Sequence, residues 1–159
     1  MFTIIGLVVA VAAALILLVG VLHVGSGVKS NSVATNAAGE LAQMALGIQS
    51  LYSGQASFAS VTDTVAIEAA KVPSGMVAGT AIENEWGGAV TIGPATPATE
   101  FTIQEAEVPA DACPTLVTQV SSATAISING TALTLPADAG TVAADCNAAS
   151  NTLLFTFGH

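Results

Sequence analysis

The sequence predicts an α+β fold in which one long N-terminal helix packs on an antiparallel sheet, with short helices around it. Three features predict this fold. Residues 1–22 form an uncharged apolar run that continues into an amphipathic stretch ending near Ser53. Runs of alternating apolar and polar residues follow in the second half of the chain. Asn129 and Gly130 stand between two such runs, and this pair is the preferred turn of a two-residue hairpin.

The apolar run is long enough to cross a membrane. Fourteen of residues 1–22 are Leu, Ile, Val or Phe, and about 20 apolar residues in a helix span the roughly 30 Å hydrocarbon layer. Their insertion is favourable by roughly 4 to 8 kcal/mol. A cleaved signal peptide is the weaker alternative, because no basic region precedes the run and no small-residue cleavage site follows it. We therefore expect a transmembrane helix half over residues 1–28.

The next stretch, residues 29–53, has the pattern of an amphipathic helix half that packs on a head formed by residues 54–159. Apolar residues recur every seven positions in two series that define one stripe: Ala34, Leu41 and Ile48, and Ala37, Met44 and Leu51. The opposite face is predicted to be solvated, with Asn31, Ser32, Thr35, Glu40, Gln43 and Ser50.

The head elements follow from capping and alternation. Residues 60–71 predict a short helix with Thr62 or Ser60 as its N-cap, Asp63 in its first turn and Pro73 as its end. Residues 109–122 predict another, capped by Asp111. Alternating or apolar runs predict the strands: 79–86, 89–92, 100–108, the hairpin 125–135 and the closing strand 152–157.

Charge and cysteines limit the partners and the compartment. The chain has a net charge of −9, with 11 acidic residues against two Lys or Arg, and such a surface disfavours nucleic acid. Cys113 and Cys146 are 33 positions apart in a segment expected outside the cytoplasm, where a disulfide is the default. A reactive thiol or a metal ligand is the alternative, but no CxxC and no nearby histidine support it.

Catalytic patterns are weak by comparison. His23 lies within or beside the apolar helix and His159 is the last residue, so neither completes a Ser-His-Asp set. Two carboxylate pairs at spacing two, Glu83/Glu85 and Glu105/Glu107, would suit calcium or acid–base chemistry, but solvated strand edges are the better explanation. Gly87-Gly88 lacks the partners of a phosphate-binding loop. The sequence indicates no catalytic residue, cofactor or metal.

Several of these segments, in this order, resemble the type IV pilins, and within them the type IVb pilins of the PilS type found on conjugative plasmids. The resemblance covers essentially the whole chain. It depends on the apolar helix beginning at the first residue and on four motifs further along the chain: Ser50-Leu51-Tyr52-Ser53-Gly54, Val72-Pro73-Ser74-Gly75-Met76-Val77 with Gly79-Thr80, Asn84-Glu85-Trp86-Gly87-Gly88-Ala89-Val90, and the Cys113/Cys146 pair before the terminal strand.

The resemblance implies a non-enzymatic filament subunit. A prepilin peptidase would remove a basic leader and methylate the new N-terminus, here Met1. The subunit would first sit in the inner membrane. The pilus assembly machinery would then move it into an extracellular homopolymer for cell–cell contact, conjugation or adhesion. The implied filament-core positions are Phe2, Ile5, Leu7, Leu15, Leu18 and Leu22.

One position departs from the family pattern. Type IV pilins usually carry glutamate at the fifth mature position, where it neutralises a neighbour's N-terminal ammonium, and this chain has Ile5. Three explanations stay open: a major pilin with another solution, a minor pilin or pseudopilin, or an offset processing site. The first is favoured. From a different class, the alternative is a membrane-anchored envelope domain that binds a small ligand or acts as an enzyme.

Overall fold

The computed structural model describes residues 30–159, and within it residues 30–51 are helical (α1). The predicted apolar stripe is the buried face of this helix: Leu41, Met44 and Ile48 have no exposed surface. They share one hydrophobic core with sheet residues. Leu51 is an exception, because 36% of it is exposed where the helix ends. The division of the chain at residues 28/29 and 53/54 stays a prediction.

The core covers one face of a seven-stranded sheet. In space the strand order is β1-β2-β3-β4-β7-β5-β6, and every neighbouring pair is antiparallel. The strands are β1 (Val77–Ala78), β2 (Ala81–Glu83), β3 (Ala89–Pro94), β4 (Phe101–Pro109), β5 (Ala125–Ile128), β6 (Thr131–Ala132) and β7 (Ser150–Phe157).

The two long strands, β4 and β7, form the centre of the sheet. Alternate residues of each point into the core, as the sequence predicted for β4. The closing strand was predicted to be buried, but only every second residue of β7 is. Their pairing is interrupted between Glu105 and Val108, where β4 carries a bulge. At this bulge Glu107 adopts φ 57°, so the strand resumes with Val108 again facing the core.

The first helix of the head, α2 (Asp63–Glu68), begins as predicted and ends earlier than predicted. The Thr62 side chain accepts a hydrogen bond from the Val65 amide at 3.3 Å. The prediction that Pro73 ends the helix is wrong. The helix ends at Glu68, and the chain changes direction at Ala70, which has φ 53°. The Lys71 amide donates a hydrogen bond to the Ala66 carbonyl at 2.9 Å. This left-handed C-terminal motif satisfies the last carbonyls before the proline is reached.

The disulfide-closed region contains α3 (Cys113–Gln119) and α4 (Ala139–Asp145). Asp111 does not cap α3, because the N-cap position is Ala112 and carries no side-chain bond. Helix α4 was not predicted, since it has seven residues, contains Gly140 and buries only Val142. Its cap is Asp138, whose carboxylate accepts a hydrogen bond from the Thr141 amide at 3.0 Å.

Of two glycine-containing regions of the sheet, one differs from the prediction and the other agrees with it at the turn. The predicted strand 79–86 is broken, because Gly79 (φ 68°) makes a tight turn between β1 and β2, and Asn84 to Gly88 form the next turn. The hairpin at Asn129-Gly130 is confirmed, with φ of 51° and 84° at its two central residues. Its second strand stops at Ala132 and does not reach Leu135.

Candidate functional site

The predicted cysteine pair is confirmed. Cys113 and Cys146 are joined by a disulfide with their Cα atoms 5.8 Å apart, and both are buried. The bond links the start of α3 to the residue that follows α4. Helix α4 and the segment before it are therefore fixed to the rest of the head.

The predicted filament-core residues lie outside the described residues, and so does His23. The filament-core residues are Phe2, Ile5, Leu7, Leu15, Leu18 and Leu22, and Met1, the predicted methylated N-terminus, also lies outside the described residues. Within residues 30–159, no helix has both the length and the apolar character that a membrane crossing requires. The membrane role of residues 1–28 stays a prediction.

One face of α1 is left open by the head. We call it the open stripe, and its members are exposed and uncharged: Asn36, Gly39, Gln43, Leu46 and Ser50. Their spacing of three and four residues places them on one side of the helix. Leu46 is 64% exposed, and a Cβ added at Gly39 would meet no atom within 4 Å. A second helix could therefore approach this face closely.

The four predicted surface carboxylates do not share one environment. Glu83, Glu85 and Glu107 are exposed, as expected for strand edges. The expectation is wrong for Glu105, which is only 1% exposed. Glu105 lies in the inward-facing series of β4, just before the bulge, so the strand's alternation directs its carboxyl group into the core.

Glu105 is held by a side chain that sequence reasoning did not single out. The Asn84 amide donates hydrogen bonds to the Glu105 carboxyl at 2.9 Å and to the Ala106 carbonyl at 2.7 Å. Its oxygen accepts from the amides of Trp86 (3.1 Å) and Gly88 (2.8 Å). Asn84 thus ties the β2–β3 turn to the bulge in β4. The sequence signal was an asparagine that opens a turn containing two glycines.

Burial determines the protonation of Glu105. Loss of solvation raises its pKa to about 7, an effect that the Asn84 hydrogen bond opposes and the charge of Glu40 reinforces. The pKa of Glu40, on α1, is also raised, first by burial and then by the charge of Glu85. One Glu40 carboxyl oxygen is buried without a hydrogen-bond partner in the described part of the chain.

A second asparagine lies on the opposite side of the same bulge. Asn151, in β7, has no exposed surface and uses its full hydrogen-bonding capacity. Its nitrogen donates to the carbonyls of Val108 (3.2 Å) and Ala148 (2.8 Å). Its oxygen accepts from the Ala148 amide (3.3 Å) and the Asn129 side chain (2.9 Å). It therefore joins the bulge, the hairpin turn and the loop after the disulfide.

Between residues 30 and 159 no group of three or more His, Cys, Asp or Glu side chains is placed to hold a metal ion. His159 stacks on Phe58, with ring centroids 4.5 Å apart.

This architecture, a helix packed along an antiparallel sheet with a disulfide-closed C-terminal region, is the fold of the type IVb pilins. A crystal structure of a type IV b pilin from Salmonella typhi matches it with a TM-score of 0.65 at 24% sequence identity, covering 79% of this chain and 99% of that one. TcpA, a type IV pilin from Vibrio cholerae El Tor biotype, matches with a TM-score of 0.58 at 16% identity, covering 79% and 98%.

The sequence supports the same class independently of the coordinates. The family model described as PilS N terminal matches residues 30–158. The chain therefore belongs to the PilS family. No curated protein matches the chain.

Proposed function

We propose that this protein is the major structural subunit of a type IVb pilus and that it polymerises into an extracellular filament. Membership of the PilS family and the pilin fold support a pilus subunit. The observation that carries the proposal furthest is the open stripe of α1, an uncharged helix face with a leucine that is 64% exposed.

The open stripe favours contact with another helix over contact with water. Covering the exposed part of Leu46 would gain roughly 1 to 2 kcal/mol. Gly39 and Ser50, on the same face, let a neighbouring helix approach closely because they are small. None of the five side chains is charged, so burying them requires no ion to be desolvated. A helical polymer repeats this contact at every subunit.

The same helix explains the two locations of the subunit. Residues 1–28 hold it in the inner membrane, and on assembly they exchange lipid for the helices of identical subunits. The residues that fill this filament core are Phe2, Ile5, Leu7, Leu15, Leu18 and Leu22. A prepilin peptidase and the assembly machinery act on the subunit, and Met1 is its methylated N-terminus. The filament joins cells during conjugation or attaches them to surfaces, and the subunit is not an enzyme.

Electron microscopy of sheared surface fibres tests the proposal. In cells that produce the full chain together with its assembly machinery, we expect thin fibres in which this subunit is the main component. We expect Leu46→Asp to reduce fibre mass at least tenfold, because a carboxylate would be buried at the helix contact. The control is Leu135→Asp, which places the same change on an exposed leucine outside α1 and should leave the fibres intact.

Other outcomes would point elsewhere. Trace amounts of the subunit in fibres made of another protein would indicate a minor pilin. Wild-type cells without fibres would refute the proposal. Mass spectrometry of the native N-terminus tests the processing step: a methylated Met1 is expected, and a different first residue would move the position now occupied by Ile5.

A further inference from the structure

Helix α1 carries a single charged side chain, Glu40, and it lies at the border of the open stripe. Every other side chain of residues 30–51 is uncharged. Glu40 follows Asn36 by four positions and precedes Gln43 by three, so it neighbours both stripe residues on the helix surface. A second helix that covers the open stripe would therefore also cover part of Glu40.

The carboxyl group of Glu40 is already partly removed from water in the single subunit. One of its oxygens is buried and has no hydrogen-bond partner among residues 30–159, whereas the residue as a whole is half-buried. An ionised oxygen that is buried without a donor loses solvation that nothing replaces. The part of the side chain that is still exposed is therefore what keeps the charged form accessible.

The groups that face Glu40 from neighbouring elements oppose its ionisation as well. After the larger effect of burial, the charge of Glu85, in the turn between β2 and β3, raises the pKa of Glu40. Glu105, on β4, is coupled to it: burial raises the pKa of Glu105 to about 7, and the charge of Glu40 adds to this. Lys71, the one lysine or arginine of the described residues, contacts α1 near Gly47 and shifts neither carboxyl group.

A contact between two copies through the open stripe would make the charged form of Glu40 still less favourable. The neighbouring helix removes more water from the carboxyl group, and the stripe that it presents carries amides, small residues and one leucine, with no positive charge. The neutral, protonated carboxyl group is compatible with such a contact. The assembled state should therefore bind a proton at Glu40 more tightly than the free subunit does.

We propose that Glu40 is a proton switch of fibre assembly: subunits join through the open stripe with the Glu40 carboxyl group protonated, and loss of this proton loosens the fibre. This inference rests on the proposed function, because it concerns the same face of α1. Its sign follows from linkage. The stabilisation is fully present below the pKa that Glu40 has in the free subunit, and it is lost as the pH rises through the higher pKa in the fibre.

The release of subunits from sheared fibres tests the switch. Wild-type fibres are divided between buffers of equal ionic strength at about pH 5 and about pH 9, on either side of the raised pKa values. Ultracentrifugation then separates fibres from released subunits, which are quantified by immunoblot. We expect at least tenfold more released subunit at the higher pH, because ionised Glu40 is unfavourable in the contact.

Three variants locate the effect. Glu40→Gln imitates the protonated carboxyl group, and we expect its fibres to release at least fivefold less subunit than the wild type at the higher pH. Glu105→Gln removes only the coupled charge and should reduce the release by a smaller factor. The matched control is Glu68→Gln, which removes an exposed carboxylate on α2 and should keep the wild-type pH dependence within twofold. Equal amounts of subunit in the cells are confirmed for each variant.

Several results would overturn the switch. Equal release from wild-type fibres at both pH values would do so while leaving the proposed function intact. Equal protection by Glu68→Gln would assign the effect to the general negative charge, and protection by Glu105→Gln alone would assign it to the stability of the head. Loss of fibres in Glu40→Gln cells would mean that the carboxylate is needed as an ion that binds a cation of the next copy. Wild-type cells without fibres would refute the proposed function and this inference with it.

Discussion

Two buried asparagines hold the bulge of β4: Asn84 from the β2–β3 turn on one side and Asn151 from β7 on the other. Their surroundings differ in one respect. We call them the Asn84 centre (Asn84, Gly88, Glu105 and Ala106) and the Asn151 centre (Val108, Asn129, Ala148 and Asn151). In the Asn151 centre a neutral amide has a partner for each of its donors and acceptors. In the Asn84 centre the amide also bonds a buried carboxyl group, Glu105.

The comparison distinguishes two kinds of buried polar group, a neutral amide and a carboxyl group. A satisfied neutral amide costs little and fixes geometry, because its bonds replace those it made to water. A buried carboxyl group also has a raised pKa, because the charged form loses more solvation free energy than the hydrogen bond from one donor replaces. The Asn151 centre should therefore be insensitive to pH, whereas the Asn84 centre should weaken as the pH rises. Four substitutions test this contrast, and each is measured by urea unfolding of the full-length chain in detergent micelles.

The largest effect is expected from Gly88→Ala in the Asn84 centre. A Cβ at this position would lie 2.0 Å from the Ala106 carbonyl oxygen, so the turn and the bulge cannot keep their distance. We expect a loss of about 4 kcal/mol in the free energy of unfolding, as for severe overpacking. The matched control is Gly93→Ala on β3, where an added Cβ meets nothing within 4 Å. Similar losses for both would refute the steric explanation.

Asn151→Asp should have the next largest effect. The carboxylate would face the carbonyls of Val108 and Ala148, which now accept hydrogen bonds from the amide. We expect a loss of about 3 kcal/mol at pH 7, because a buried charge would replace two donors. Asn147→Asp is the control, since Asn147 is exposed and bonds only the nearby Ala144 carbonyl. A loss below about 1 kcal/mol for Asn151→Asp would show that the centre is not tightly held.

Glu105→Gln tests the pH dependence directly. The pKa of Glu105 is raised from 4.5 to about 7 in the folded chain, so the folded state binds the proton more tightly than the unfolded state. The contribution of Glu105 to stability is therefore fully present below about pH 4.5 and is lost as the pH rises through 7. We expect the variant to be more stable by about 2 to 3 kcal/mol at pH 8 and nearly equal at pH 4. An offset that does not change with pH would contradict this assignment.

The smallest effect is expected from Asn129→Ala at the edge of the Asn151 centre. Asn129 is exposed, has φ 51°, and donates to Asn151 while accepting from the Thr152 amide at 2.9 Å. Alanine tolerates this φ poorly and loses both bonds, so we expect a loss of about 1 kcal/mol. Asn129→Gly keeps the turn geometry and should lose less. If glycine is as harmful as alanine, the side-chain bonds outweigh the backbone conformation.

Local patterns were sufficient where a feature depends on neighbouring residues. The heptad spacing of Leu41 and Ile48 predicted the buried face of α1, and Asn129-Gly130 predicted a turn that requires two residues at positive φ. The sequence likewise predicted Thr62 as one of two possible N-caps of α2. The failures had equally local causes. The N-cap position of α3 is Ala112, one residue after Asp111. Helix α4 has only seven residues, so its pattern does not stand out.

The candidate site could be predicted from the sequence only in part. The exposure of Leu46 could not be inferred from sequence, because whether an apolar helix residue is covered depends on which elements pack beside it.

The sequence by itself determined the class of fold, the long amphipathic helix, the hairpin turn and the family, since each depends on periodicity, turn chemistry or an ordered set of motifs. Tertiary structure alone decided that the last strand, β7, lies between β4 and β5. It also decided that β4 bulges after Glu105 and that this carboxyl group, which lies on the same side of the strand as Phe101 and Ile103, faces the core. Alternation specifies which residues share a face of the sheet, but only packing against α1 determines which face is buried.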